Sequence, residues 1–132
     1  MKILLVDDDK IMQKLLGLYL REGGFKVVTA ENGLNAMEKL GAEAFDLVVT
    51  DLNMPFMDGI EFLMAMKSNP ASAQIPAIML TSETDGEERN RALRAGADGY
   101  LSKPVTAEEM IAKIRQVLDE VTAKGGKQNG GS

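Results

Sequence analysis

Five times along the chain, a short and nearly continuous apolar run is followed by a stretch whose apolar residues recur at helical spacing. The runs fall at residues 3–6, 25–30, 45–50, 75–81 and 99–102. A run without polar alternation suits a strand covered on both faces. The helical stretches fall at residues 10–21, 32–40, 59–67 and 85–95, with a last one from Thr106 to about residue 121. The first carries Ile11, Met12, Leu15, Leu16, Tyr19 and Leu20, and the third Ile60, Leu63, Met64 and Met66. Punctuation agrees with this division. Asp9 is placed to cap the first helix and Gly23-Gly24 to end it; Asn69-Pro70 stops the third, and Thr106 with Glu109 forms a capping box for the last. Strands alternating with helices over short connections require a parallel sheet with right-handed crossovers and helices on both faces. At 132 residues this is a five-stranded doubly wound α/β domain, since an eight-unit barrel needs about 250 residues. The domain is expected over residues 1–122, with the Gly-rich stretch 123–132 as a flexible tail.

Composition narrows the chemistry. The chain has no Cys and no His. That excludes a disulfide framework, a thiol nucleophile, a Cys/His zinc site, a Ser-His-Asp triad and a phosphohistidine. Fifteen Lys and Arg against twenty Asp and Glu leave a net charge of −5, which disfavours a broad nucleic-acid surface. No apolar run approaches the ~18–20 residues of a membrane span. The apolar start, residues 3–6, is too short for a signal peptide and runs directly into Asp7-Asp8-Asp9. A cytoplasmic protein with no membrane and no nucleic-acid partner is expected.

In an open α/β sheet, ligands bind beyond the carboxyl ends of the strands. Asp7, Asp8 and Asp9 follow the first strand and Glu31-Asn32 the second. Asp51 and then Asn53 follow the third, Thr81, Ser82 and Glu83 the fourth, and Lys103 the fifth. If the first and third strands are neighbours, Asp7, Asp8 and Asp51 converge. Three carboxylates in one place repel one another unless a cation joins them. With oxygen ligands alone, Mg2+ is the natural ion. Lys103 would bring an ammonium suited to a phosphate oxygen, and Thr81 a hydroxyl. Asp51 is the best placed to act as a nucleophile and form an aspartyl-phosphate. Taken singly, each of these residues has an ordinary structural reading as a cap, a turn or a surface charge. Their meeting at one set of strand ends is what points to a metal–phosphate site.

These residues carry a family resemblance. ILLVDDD at residues 3–9, DLVVTDLNMPFMDG at 46–59, MLTSE at 79–83 and GADGYLSKP at 96–104 resemble the receiver domain of two-component response regulators, especially the single-domain chemotaxis type. With the βα rhythm, the likeness covers roughly residues 1–121. The resemblance implies a flavodoxin-like (βα)5 fold with strand order 2-1-3-4-5. It implies Asp51 as phosphoacceptor, Asp8 and Asp51 as direct Mg2+ ligands, Asp7 acting mainly through water, and the Asn53 carbonyl as a further ligand. Lys103 would bind the phosphoryl group, Thr81 would move to it, and Tyr100 would turn inward in the active state. The Lys103–Pro104 bond is expected to be cis, and Asn53 and Glu83 to influence the phosphate lifetime.

The donor would be a partner histidine kinase or phosphotransfer protein, because the chain has no histidine of its own. Output would pass to a downstream protein target through the fourth helix, fifth strand and fifth helix, where Arg89, Arg91, Arg94, Lys113 and Arg115 offer a partly basic face. The chain would be a monomer or a weak, phosphorylation-dependent dimer. It would act on itself, in phosphorylation and slow autodephosphorylation, more than as an ordinary enzyme. Three alternatives stand beside this. A receiver cut from a longer regulator fits the tail. An aspartyl-phosphate phosphohydrolase would need an Asp where Asn53 stands. A flavodoxin-like cofactor binder would need a phosphate-cradling loop in place of Asp7-Asp8-Asp9.

Overall fold

The computed structural model describes residues 1–82 and 86–130, with side chains as far as residue 123. In chain order the elements are β1 (Lys2–Val6), α1 (Lys10–Glu22), β2 (Lys26–Ala30), α2 (Gly33–Ala42), β3 (Leu47–Asp51), α3 (Gly59–Ser68), β4 (Ala77–Thr81), α4 (Gly86–Arg94), β5 (Gly99–Ser102) and α5 (Ala107–Gly130). The strands form one sheet in the order β2-β1-β3-β4-β5, every pair parallel. The register sets Val6 opposite Thr50, Asp51 opposite Leu80, and Thr81 opposite Ser102. All the carboxyl ends therefore open on one edge of the sheet.

Although the strands read as unbroken apolar runs, the pleat sorts them. Leu4, Val6, Val48 and Met79 face α2, α3 and α4, where Ala36, Leu40, Phe62, Leu63, Met66 and Ala92 close one core. Ile3, Leu5, Leu47, Val49, Ile78 and Leu80 face α1 and α5, against Leu16, Leu20, Met110, Ile114 and Val117. A sheet buried on both faces has no solvent side to supply polar alternation, which is why the sequence shows none.

The caps behave as their residue types require. Asp9 accepts from the Ile11 and Met12 N–H groups, and Gly24 turns the chain out of α1 at φ +90. Thr106 and Glu109 form the expected reciprocal box. A second box, Asp58 with Glu61, starts α3. Helical spacing overcounted the inner faces. In α1 the buried positions are Leu16, Gly17 and Leu20, while Ile11 and Leu15 look outward. In α3 Phe62 is fully buried and Met64 is exposed, because the inner stripe is Gly59, Ile60, Phe62, Leu63 and Met66. Met54 and Met57 pack against the core from the β3–α3 loop.

α4 is described from Gly86; its expected start at Asp85 lies outside the described residues, as does Glu83. One boundary differs from the sequence reading. α5 continues as helical backbone to Gly130, so the stretch expected as a tail from residue 123 is helical as far as that point. No side chain after Val121 is an apolar one larger than alanine, so sheet packing has no anchor beyond it. Among the described residues, no helix is long and apolar enough to cross a membrane.

Candidate functional site

β1 and β3 are neighbours, and their ends carry the acids. Asp7 is 1% exposed and Asp51 8%, whereas Asp8 faces solvent. Each of the three offers a carboxylate oxygen within 4.8 Å of the others. Lys103, from the β5–α5 connection, reaches across the sheet edge. Its Nζ lies 3.4 Å from Asp7 Oδ2 and 3.4 Å from Asp51 Oδ1. Its backbone N–H donates to the Thr81 carbonyl at 2.7 Å, and its bond to Pro104 is cis, as expected.

The acids are held at their backbones as well. Asp7 Oδ1 accepts from the Asp9 N–H at 2.9 Å, and Gln13 Nε2 donates to the Asp7 carbonyl at 2.6 Å. Asp51 Oδ1 accepts from the Leu52 N–H at 2.9 Å. Lys103 stands on the same oxygen, Oδ1. Burial raises the Asp51 pKa above its ordinary value of 3.8; Lys103 pulls it down and Asp7 pushes it further up. The balance is upward because desolvation outweighs one ammonium shared between two carboxylates.

Three carboxyl groups face one ammonium in this cleft. An all-oxygen donor set of this kind fits a hard divalent cation of the magnesium type.

Thr81 is fully buried at the end of β4, one step beyond the residue paired with Asp51. Asn53 is exposed in the loop after Asp51. Tyr100 sits on β5 opposite Met79, half-buried against the core that α2, α3 and α4 close. The convergence thus unites Asp7, Asp8, Asp51 and Lys103, with Thr81 at the end of the neighbouring β4 and Asn53 on the β3–α3 loop. Gln13 and Gly59 were not singled out from the sequence. A Cβ on Gly59 would stand 2.3 Å from the Asp51 carbonyl oxygen, so its smallness lets α3 start against the end of β3. Nothing in a lone Gln or in one Gly of a turn signals such a contact.

Residues 3–115 match the family described as response regulator receiver domain. The chain belongs to this family. It is similar to Chemotaxis protein CheY of Pseudomonas aeruginosa, 37% identical over 122 residues that cover 92% of this chain and 98% of that protein. Its fold is similar to that of Vibrio cholerae CheY4, with a TM-score of 0.84, 34% identity, and coverage of 88% of this chain and 97% of the other. It is also similar to the receiver domain of a signal transduction histidine kinase from Syntrophus aciditrophicus, with a TM-score of 0.83, 31% identity and coverage of 91% of both chains. The chain is thus a CheY-like receiver domain, and the doubly wound 2-1-3-4-5 architecture is the one its family shares.

Proposed function

We propose that the chain is a phosphorylation switch that accepts a phosphoryl group on Asp51 from a phosphohistidine-bearing partner. The observation that carries this reading is the meeting of three carboxylates and one ammonium at the carboxyl edge of the sheet. A carboxylate oxygen of Asp51 attacks phosphorus, and an acyl phosphate forms. The P–N bond to the donor imidazole breaks, and its electron pair stays with the imidazole, which picks up a proton. Lys103 stands where it can neutralise a phosphoryl oxygen, and its tie to the Thr81 carbonyl links the fifth strand's end to the fourth's. Asp8, Asp51 and the Asn53 carbonyl would hold a magnesium ion, with Asp7 acting through water. When bound, the ion would neutralise charge on the transferring group.

In the same reading, Thr81 and Tyr100 carry the change to the face of α4, β5 and α5. Arg89, Arg91 and Arg94 are exposed on α4, although Arg91 is held by Glu88 at 2.6 Å. A downstream protein would read that face. The relatives named for chemotaxis favour a single-domain output of that type, in the cytoplasm. Likeness to the receiver of a histidine kinase keeps a second reading open, in which residues 1–122 are the receiver unit of a longer regulator.

Incubation with acetyl phosphate followed by intact-mass measurement tests the proposal. One phosphoryl group should be gained with Mg2+ and none with chelator. No gain from acetyl phosphate or from any histidine kinase would sink it. Lys103→Ala should still bind Mg2+, measured by titration, yet transmit phosphorylation poorly to the α4–β5–α5 face, measured by amide exchange. Unchanged exchange differences in that variant would remove Lys103 from the switch.

A further inference from the structure

Phe56 stands in the middle of the β3–α3 loop, and its backbone lies at φ +72. The Met57 N–H donates to the Pro55 carbonyl at 2.8 Å, closing a three-residue γ-turn around it. This turn is strained for any side chain and fits a bulky aromatic least. The ring is 83% exposed, more than any other large apolar side chain among the described residues. Its neighbours do the opposite, since Met54 and Met57 tuck into the core and Met57 rests on Gly33. Phe56 is therefore thrust outward from a loop pinned on both sides. It carries two costs, a strained backbone and a bare aromatic surface, and at 83% exposure its contacts with the described residues offset little of either.

The loop's base places the ring at the site. The Gly59 N–H donates to the Leu52 carbonyl at 2.7 Å, next to Asp51. Phe56 is three residues from Gly59, a reach of at most about 11 Å even when extended. A protein that brings a phosphoryl group to Asp51 must cover this loop, whereas a small donor need not.

We infer that Phe56 is an anchor for the phosphohistidine-bearing donor, inserting into an apolar recess beside the donor's histidine. This rests on the proposed acceptor role of Asp51. Exposed aromatics that become buried at an interface are the side chains that most often dominate binding. The strain then has its return outside the chain, in the complex.

The test uses Phe56→Gly and Phe56→Asn, both suited to positive φ, and Phe56→Tyr, which keeps the ring. Each is followed by thermal melting, by labelling with phosphoramidate (a small P–N donor with no protein surface), and by transfer from an autophosphorylated histidine kinase chosen because it labels the parent chain. The Gly and Asn variants should melt at or above the parent temperature and take phosphoryl from phosphoramidate at the parent rate. Transfer from the kinase should fall about tenfold or more, the loss typical of a truncated aromatic anchor, and Tyr should restore most of it. Unchanged kinase transfer in the Gly and Asn variants overturns the inference. So does a parallel fall with phosphoramidate, which would make the loop a positioner of Asp51, and so does a lowered melting temperature in both. A folded parent chain that phosphoramidate cannot label overturns the acceptor role itself, a result distinct from the others.

Discussion

Exchanging Asp51 for asparagine should abolish the Mg2+-dependent gain of a phosphoryl group and raise the melting temperature of the metal-free protein. The first effect follows from chemistry, because an amide oxygen at that position cannot form the acyl phosphate. The second follows from electrostatics. Burial and the facing Asp7 carboxylate raise the Asp51 pKa, and Lys103 only partly opposes them. A raised carboxyl pKa means that the folded chain holds the proton more tightly than the unfolded one. Stability from this group is thus fully present below its ordinary value of 3.8 and is lost as pH rises through the folded value. The asparagine variant escapes that loss, so its advantage is absent in acid, grows as pH rises above 3.8 and levels off above the folded value. The gain should be on the order of 1 kcal/mol, or a few degrees in Tm. Mg2+ should narrow the gap, since an ion bound to the native parent alone stabilises it by mass action. Melting curves from pH 4 to 8 with and without Mg2+ check this. A variant less stable than the parent at neutral pH would refute the electrostatic account, even if phosphorylation were lost.

Gly59→Ala should lower stability by about 2 kcal/mol or more, although helix propensity alone predicts a gain of about 1 kcal/mol. The new Cβ would lie 2.3 Å from the Asp51 carbonyl oxygen, 2.8 Å from the Leu52 Cα and 2.9 Å from the Met79 Sδ. The first two are backbone atoms of the acceptor strand and its continuation, so α3 must move off β3. That shift would break the bond from the Gly59 N–H to the Leu52 carbonyl and displace Asp51 with it. Phosphorylation by acetyl phosphate should slow along with the fall in Tm. Gly41→Ala is the matched control. That glycine is also helical but has open space around its Cβ, so the change should stabilise by about 0.4–1 kcal/mol. If both substitutions raise the melting temperature, the close approach at Gly59 does not constrain the fold.

The contrast between these two glycines marks where sequence reading stops. Both precede or occupy a helix, and neither carries a local sign of what it faces. Ile11 and Met64 make the same point for apolar residues. Their spacing is helical, but only the position of the sheet decides that Leu16 and Phe62 turn inward while Ile11 and Met64 do not. Phe56 is legible as a residue in a turn between Pro55 and Asp58-Gly59. Its positive φ and bare ring come from the pinning of Met54 and Met57 on either side.

The sequence by itself determined the five-unit alternation, because buried parallel strands need unbroken apolar runs and crossover helices need amphipathic ones. It also determined the cast of the site, because Asp7, Asp8, Asp51, Thr81 and Lys103 each follow a strand, and strand ends are where such folds bind ligands. The family resemblance carried by its motifs already implied the strand order that sets β1 beside β3; only the tertiary structure decided that residues 44 positions apart, Asp7 and Asp51, share one ammonium. That sharing, the desolvation of Asp51 and the fit of Gly59 against its carbonyl rest on distances between segments remote in the chain. Local propensity and spacing carry no information about such distances, and packing sets them.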